Sequence, residues 1–204
     1  MNRVLFLGAN GQLARHTTGA FLRMTEAALT LYLRSESRLR NPDPKRVRTV
    51  DGDGVDTAAS TAAMEDQDVV YANRAGDMKR QAEFIIEAMH ASGLKRLIFI
   101  SSMGICGEVL GERYRSVLDP YPDSAAAIEA PDLDYTFLRP DSFTQERRVG
   151  CQITQKGERF RGARRLAGRP VGSDRETQHH ARRARAPEPR RLKRLIAARC
   201  PSWN

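Results

Sequence analysis

Residues 4–14 read VLFLGANGQLA, an apolar run that leads directly into a turn with two glycines and then into a helical stretch. Val4–Leu7 has the length and apolar character of a short buried strand. After the turn, Leu13, Thr17 and Phe21 recur at intervals of four residues, which places them on one face of a helix. The start of the chain therefore predicts a strand, a tight turn and a helix in immediate succession.

The same alternation of apolar runs and helical stretches continues to about residue 140. Five further strands are predicted, at Leu29–Leu33, Arg46–Val50, Asp68–Ala72, Arg96–Ile100 and Asp134–Leu138. A long helix is predicted between a capping Asp77 and Gly93, and a short alanine-rich one is capped by Asp123 and Ser124 and ends near Pro131. Apolar strands that alternate with helices predict an α/β fold, a doubly wound parallel sheet with helices on both faces.

Charge divides the chain into two parts. Residues 1–160 hold 21 Lys and Arg against 22 Asp and Glu, whereas residues 161–204 hold 13 against 3, so the net charge of +9 comes from the C-terminal part. Only five of those last 44 residues are Leu, Ile, Val, Phe or Met, and at most Leu192–Arg199 is predicted to form a helical turn or two. We expect a single domain at 1–160 and, at 161–204, an anomalous basic tail too poor in apolar residues to fold by itself.

Three interpretations of this tail remain open: an arm that binds nucleic acid, a segment that folds on a partner, and a stretch translated outside the native reading frame. A basic arm would bind phosphates in a salt-sensitive way. However, Trp203 is the only aromatic residue after Phe160, so the tail has no series of aromatic side chains to stack on bases. The abrupt change in composition favours the third interpretation, and nucleic acid is not an expected partner.

Cysteine usage and hydropathy indicate the compartment. Cys106, Cys151 and Cys200 are an odd number at wide spacings, which argues against a disulfide framework or a paired-cysteine metal site and is typical of a reducing compartment. The apolar run near the N-terminus is too short for a signal sequence or a membrane span. The adjacent His179 and His180 have no other ligand at metal-binding spacing. We therefore expect a cytoplasmic protein without membrane association or metal.

The turn after the first strand predicts a site for the pyrophosphate of a dinucleotide. A pyrophosphate needs backbone N–H donors at a helix N-terminus and no side chain in the way. Gly8 permits the tight turn, Gly11 permits close approach of the ligand, and Ala14 permits close packing of helix and strand. The cofactor-binding residues predicted here are Gly8, Ala9, Asn10, Gly11, Gln12 and Leu13. The simpler alternative is a tight turn that binds no ligand.

The end of the second strand predicts which dinucleotide is bound. An acid at this point would accept hydrogen bonds from the ribose hydroxyls of NAD, but here Leu33 is followed by Arg34 and Ser35, with Arg38 one helical turn later. A guanidinium suits a 2′-phosphate and cannot accept a hydrogen bond. One such contact is worth about a ten- to hundredfold preference, so NADP(H) is predicted over NAD(H). Alternatively, the arginines are solvated surface charges.

Four ordered motifs carry a family resemblance: GANG at 8–11, NRAG at 73–76, FISSMG at 99–104 and DYTFLRP at 134–140. Together they resemble the atypical short-chain dehydrogenase/reductases, in their NmrA-like, NAD(P)H-binding branch. The resemblance covers roughly residues 1–160 and implies a Rossmann fold that binds NADP(H) at the carboxyl ends of the strands. It also implies that Asp53 lies near the adenine, and it adds to the cofactor-binding set Ala72, Asn73, Ala75, Gly76 and Ser101. A final strand and an amphipathic helix are expected after residue 160 in this family, but the tail composition predicts neither.

The catalytic chemistry of the family transfers less completely. Typical members use a Ser and a Tyr, with a Lys four residues after the Tyr that lowers its pKa. By this resemblance Ser102 is the catalytic serine and Tyr121 the tyrosine, but Ala125 stands at the lysine position, and no lysine lies between residues 96 and 139. Without that cation, a tyrosine with a pKa of about 10 is a poor acid–base group at neutral pH. Ser102 is alternatively a structural residue that ends a strand.

Two functions are compatible with these residues. The first is a reductase of the flavin or biliverdin reductase type, in which hydride passes from NADPH to a small conjugated acceptor with little acid catalysis by the protein. The second is an NmrA-like regulatory protein that senses the nucleotide without turning it over. A binding scaffold with no catalytic role is the remaining alternative.

Overall fold

The computed structural model describes residues 2–35, 37, 39–53, 56–105, 116–140, 150–154 and 194–199, the last two segments as backbone. The strands are β1 Arg3–Leu7, β2 Ala28–Leu33, β3 Val47–Asp51, β4 Val69–Ala72, β5 Arg96–Ile100, β6 Asp134–Pro140, β7 Gly150–Thr154 and β8 Arg194–Arg199. The helices are α1 Gln12–Met24, α2 Thr57–Met64, α3 Met78–Ser92 and α4 Pro120–Glu129, with a short 3-10 helix at Ser116–Leu118. Residues named from the sequence that lie outside this set are Arg38, Cys106, Phe160, His179, His180, Leu192, Cys200 and Trp203.

The strands form one sheet in the order β3-β2-β1-β4-β5-β6-β8-β7. All neighbours are parallel except β7, which runs antiparallel to β8. The chain moves outward from β1 to β3 and then returns to β4 on the other side of β1. The strand order therefore switches between β1 and β4, and open α/β sheets bind ligands at the carboxyl ends of the strands at such a point. The predicted doubly wound α/β fold is confirmed.

Alternate side chains of β1 show that the sheet is covered on both faces. Leu5 and Leu7 belong to a core cluster that includes buried residues of α2, α3 and α4. Phe6 points to the opposite face, where its ring meets that of Phe21 in α1 edge-on at 5.5 Å. Each fully buried side chain of this size contributes about 1.5–3 kcal/mol, so the strand is strongly fixed from both sides. Within the described part of the chain, no helix is long and apolar enough to cross a membrane.

One helix was not predicted from the sequence, and the start of another was predicted at the wrong residue. The sequence did not predict α2, because its small residues lack a clear apolar period, although Asp56 caps it by accepting a hydrogen bond from the Ala59 amide (3.0 Å). The cap predicted at Asp123 and Ser124 is wrong, since α4 begins earlier, at Pro120. Proline suits the first position of a helix because its missing N–H would have no partner there.

The C-terminal tail contributes a strand, which the sequence did not predict. Arg194–Arg199 pairs in parallel with β6, from Thr136 opposite Arg194 to Pro140 opposite Ala198. The expectation that this segment forms at most a helical turn is therefore wrong for these six residues. The edge of a strand presents unpaired N–H and C=O groups that can pair with any extended backbone. The low apolar content of the tail therefore does not prevent it from forming a strand. The rest of 161–204 lies outside the described residues.

Removal of residues 161–204 should lower thermal stability and leave NADPH affinity nearly unchanged. Without β8, the edge of β6 loses its partner, whereas the turn after β1 is separated from β6 by β4 and β5. A loss of about 2 kcal/mol would lower Tm by about 4–8 °C in a protein of this size. Thermal unfolding and a nucleotide titration of the shortened chain test this. A large loss of NADPH affinity with little change in Tm would contradict it.

Candidate cofactor site

The turn between β1 and α1 is closed by its own hydrogen bonds. The amides of Gly8 and Ala9 both donate to the Tyr32 carbonyl of β2 (3.2 and 3.4 Å), and the Gly11 amide donates to the Gly8 carbonyl (3.1 Å). Within the predicted set from Gly8 to Leu13, these three donors therefore fix the shape of the turn.

The first turn of α1 supplies the donors for an anion. The first helical hydrogen bond runs from the Arg15 amide to the Gly11 carbonyl (3.0 Å). The amides ahead of it, those of residues 12–14, are the groups that a helix N-terminus offers to a phosphate. The Asn10 side-chain oxygen accepts a short hydrogen bond from the Arg15 guanidinium, which ties the turn to the helix. Of these residues, Gly11 and Gln12 are exposed at the carboxyl edge of the sheet.

Space above the turn depends on two positions without a side chain. Gly8 has φ +78°, and a Cβ there would lie under 3.0 Å from the Asn73 carbonyl oxygen. A Cβ on Gly11 would lie 2.8 Å from the Asn73 side-chain nitrogen. The main-chain N–H of Asn73 donates to the Leu7 carbonyl (2.9 Å). This bond extends the pairing of β1 with β4 and holds Asn73 in place. Gly8 cannot carry a side chain unless the loop after β4 moves, whereas a side chain at Gly11 would require the Asn73 side chain to shift. The donors beside this cradle suit a dinucleotide pyrophosphate.

The end of β2 carries the two residues predicted to select the nucleotide. Arg34 and Ser35 are both exposed at the carboxyl edge of the sheet. Ser35 has φ +62°, and its amide donates to the Asp51 carboxylate at the end of β3 (3.0 Å). Arg34, which is predicted to favour a 2′-phosphate, therefore shares this end of the site with an acid. The sequence did not predict this, because Asp51 is distant along the chain.

Tyr32 connects the phosphate turn to the loop after β3. Its carbonyl accepts the two turn amides, and its hydroxyl donates to the Asp53 carbonyl (2.9 Å). A Cβ on Gly52 would lie under 3.0 Å from the same hydroxyl oxygen, so the loop packs directly on the ring. Burial raises the pKa of Tyr32, which keeps the hydroxyl protonated as a donor. Asp53, which the resemblance places near the adenine, is thereby held at the carboxyl edge.

Arg74 lies at this site although the sequence did not single it out. It follows Asn73 in the loop after β4, and its Nε and Nη2 both donate to the Gln81 side-chain oxygen (2.8 and 2.5 Å). The sequence feature that could have identified Arg74 is its position in the NRAG motif, next to residues that were predicted to contact the cofactor. The neighbouring predicted residues lie at the same edge: Ala72 is buried beneath the loop, while Ala75 and Gly76 are exposed.

Ser101, predicted to bind the cofactor, and Ser102, predicted to be catalytic, directly follow β5. The Ser101 amide donates to the Leu138 carbonyl (2.8 Å), and its side chain is 3% exposed with no hydrogen-bond partner for its oxygen among the described residues. Ser102 is half-buried, and its hydroxyl donates to the Met103 carbonyl (3.3 Å), a long bond that fits the structural interpretation of this serine.

Helix α4 contains no lysine or arginine, so it places no cation beside Tyr121. It lies in the first turn of α4, half-buried against the main core cluster, and its carbonyl accepts a hydrogen bond from the Ser124 hydroxyl (2.7 Å). Ala125, one turn later, is 5% exposed and packs in the same cluster. No hydrogen bond joins Ser102 to Tyr121 within the described part of the chain. No group of three His, Cys, Asp or Glu among those residues is arranged to hold a metal ion.

A doubly wound sheet with a glycine cradle at its switch point defines a Rossmann-type dinucleotide-binding protein. The family model for NAD(P)H-binding proteins matches residues 8–166, and the chain belongs to that family. This confirms the NAD(P)H-binding character that the four sequence motifs indicate. The part of the chain that matches begins at Gly8, so it includes the cradle and the elements from α1 to β7 but not β1.

Solved structures extend the likeness over nearly the whole chain. A Rossmann-fold NAD(P)-binding family protein from Shigella flexneri is 33% identical, with a TM-score of 0.71 and coverage of 100% of this chain and 96% of that one. A wide-type short-chain dehydrogenase/reductase from Veillonella parvula DSM 2008, in complex with NADP, is 20% identical (TM-score 0.73; 98% and 95% covered). ChuY, an anaerobillin reductase from Escherichia coli O157:H7, is 16% identical (TM-score 0.68; 100% and 99% covered). The latter two show the fold alone. No match is found among curated protein sequences.

Proposed function

We propose that the chain is an NADPH-dependent reductase of the flavin or biliverdin reductase type, acting on a small conjugated acceptor. The observation that carries this proposal is the burial of Ala125 one turn after Tyr121, which leaves the tyrosine without an activating cation on its helix face. The cofactor supplies a hydride when bound. An acceptor with an extended conjugated system spreads the resulting charge and therefore needs no strong proton donor from the protein.

The chain's own residues have limited roles in this chemistry. The glycine cradle and the first turn of α1 hold the pyrophosphate, and Arg34 selects the phosphorylated adenosine. Ser102 orients the acceptor by turning its hydroxyl away from the Met103 carbonyl, a change made easy by the long 3.3 Å bond. Two structures with the same fold support the proposal, since one is a complex with NADP and the other is an anaerobillin reductase.

Consumption of NADPH by the purified chain, followed by its absorbance, tests the proposal. We expect turnover with flavin, biliverdin or quinone, and at least about tenfold slower turnover with a saturated aldehyde, which needs a proton donor. Tyr121→Phe should lower the rate less than about threefold, because Ala125 stands where the family resemblance expects the activating lysine. NADPH without an acceptor is the control.

A second outcome would favour the regulatory alternative. The same lack of an activated tyrosine is expected of a protein that binds NADPH and reports its presence without consuming it. Tight binding of NADPH with no consumption on any of these acceptors would therefore contradict the reductase and support the nucleotide sensor. A loss of about a hundredfold or more in Tyr121→Phe would instead indicate acid–base catalysis by this residue.

A further inference from the structure

A cavity of about 440 Å³ opens at the edge of the sheet opposite the phosphate turn. It lies at the amino ends of the strands that Arg3, Ala28 and Val47 begin, and the end of α2 forms its other wall. This volume falls within the range of about 300–1,000 Å³ that small-molecule sites occupy. None of its lining residues belongs to the candidate cofactor site.

Thr30 supplies a hydroxyl to the floor of this cavity. Leu29 and Leu31 on either side of it belong to the core cluster on the α1 face, so the alternation of the strand turns Thr30 toward α2. Thr30 lines the cavity and is 6% exposed, and its hydroxyl makes no hydrogen bond with the described residues. A hydroxyl that is withdrawn from bulk water in this way is stabilised by a polar partner inside the cavity.

Two cations stand beside this hydroxyl. Arg48 is directly opposite Thr30 in the register of β2 with β3, at the usual strand spacing of about 4.8 Å. Lys45 also lines the cavity, in the loop that leads into β3. Neither cation takes part in an ion pair within the part of the chain that the structure describes. A guanidinium, an ammonium group and a hydroxyl together form a set of donors that suits carboxylates.

The wall formed by the end of α2 has the opposite charge. Glu65 follows the helix as its C-cap residue, and its carboxylate has no ion pair among the described residues. The last carbonyls of a helix carry its negative partial charge. Asp66 is already paired with Arg3 (3.5 Å), and three main-chain carbonyl oxygens hold the Arg46 guanidinium. The lining charges that remain unpaired are therefore two cations and one carboxylate.

We propose that this cavity binds an acidic amino acid, whose two carboxylates and one ammonium group match the unpaired charges in sign and number. One carboxylate accepts hydrogen bonds from Arg48 and Thr30, and the second lies toward Lys45. The ammonium group faces the wall that carries Glu65. This inference concerns a second binding site, and it rests neither on NADPH turnover nor on the nucleotide preference.

Titration of the full chain with L-glutamate at constant ionic strength, followed by its amide NMR spectrum, tests both the site and the ligand class. The amide signals of Thr30 and Arg48 should shift, whereas those of Gly8 and Gly11 at the opposite edge should not. Glutarate lacks the ammonium group, and γ-aminobutyrate lacks the second carboxylate. Each should bind about fivefold more weakly than glutamate, the upper value for one solvent-accessible ion pair.

Three variants assign the contacts. Arg48→Gln should weaken glutamate and glutarate alike by about tenfold, whereas Glu65→Gln should weaken glutamate by about fivefold and leave glutarate no weaker. Thr30→Val keeps the shape of the side chain and should weaken both ligands by about threefold without lowering Tm, because the lost hydroxyl has no partner among the described residues. Arg80→Gln and Glu83→Gln, which are exposed on α3 outside the cavity, are the matched controls and should change neither ligand.

Three results would overturn the inference. No shift at Thr30 and Arg48 with any of the three acids would show that the unpaired charges are only solvated surface groups. Equal affinity for glutamate and glutarate would mean that the site does not recognise an ammonium group. Shifts of the same size at the phosphate turn would assign the binding to general charge. The proposed reductase is tested separately, because it depends on NADPH consumption alone.

Discussion

Gly8→Ala should abolish measurable NADPH binding and destabilise the protein by about 2–5 kcal/mol, the sum of left-handed strain and a steric overlap. The overlap arises because the new Cβ would lie under 3.0 Å from the main-chain carbonyl oxygen of Asn73, a residue whose main-chain N–H donates to the Leu7 carbonyl. The strain arises because φ is +78°. Relief would require the loop after β4 to move away from the turn, which removes the cradle. Calorimetric titration and denaturant unfolding measure the two effects.

Gly93→Ala is the matched control for this variant. Gly93 ends α3 with φ +73°, nearly the same backbone conformation, but a Cβ there meets no atom within 4 Å. It should cost about 1–2 kcal/mol from strain alone and leave NADPH affinity unchanged. If folded Gly8→Ala bound NADPH as tightly as the unaltered chain does, the turn would not be the pyrophosphate site.

Arg34→Glu should weaken NADPH binding by about a hundredfold or more while changing NADH binding by less than about threefold. Loss of one charge-assisted contact lowers the NADPH affinity by about ten- to hundredfold. Reversal of the charge lowers it further, because the new carboxylate, beside Asp51, repels the 2′-phosphate. NADH has only a neutral hydroxyl at this position, and the new carboxylate can accept a hydrogen bond from it. Affinity measured for both nucleotides at two salt concentrations tests the prediction, because the repulsion at this exposed site should weaken as salt increases.

Arg48→Glu is the control for charge reversal. Arg48 is exposed on β3, opposite Thr30 of β2, and lies within the strand, away from its carboxyl end. The same change in net charge there should affect NADPH only slightly. Equal loss of NADPH and NADH in Arg34→Glu would contradict the assignment of Arg34 to the 2′-phosphate and leave it as a surface cation.

The fold was predictable because the six strands β1–β6 contain short apolar runs, most of them followed by a turn or by a helix with clear ends. Asp77 and Gly93 delimit α3 as predicted: the carboxylate accepts the Arg80 amide (3.0 Å), and the glycine adopts a left-handed conformation. Such signals are local, so the sequence contains them. In contrast, α2 consists mainly of small residues, whose burial depends on packing against α3 and the sheet. Its sequence therefore shows no apolar period from which the helix could be predicted.

The parts of the site that the sequence did not predict depend on contacts between distant segments. The use of the Gly8 and Ala9 amides was missed because their acceptor is a carbonyl of β2. The carboxylate of Asp51 reaches Ser35 only because β2 and β3 pair in register. β8 was missed for a related reason: its pairing depends on the free edge of β6 and not on its own composition.

The contact between Tyr32 and Gly52 limits how this protein can be re-engineered. One aromatic residue joins the turn that shapes the phosphate cradle to the segment that leads to Asp53, and its hydroxyl occupies the volume that any larger residue at position 52 would need. A segment after β3 grafted from a homologue with a side chain at that position would collide with the ring. Exchange of cofactor preference by grafting therefore requires the donor's residues at 32 and 52 to be transplanted as a pair.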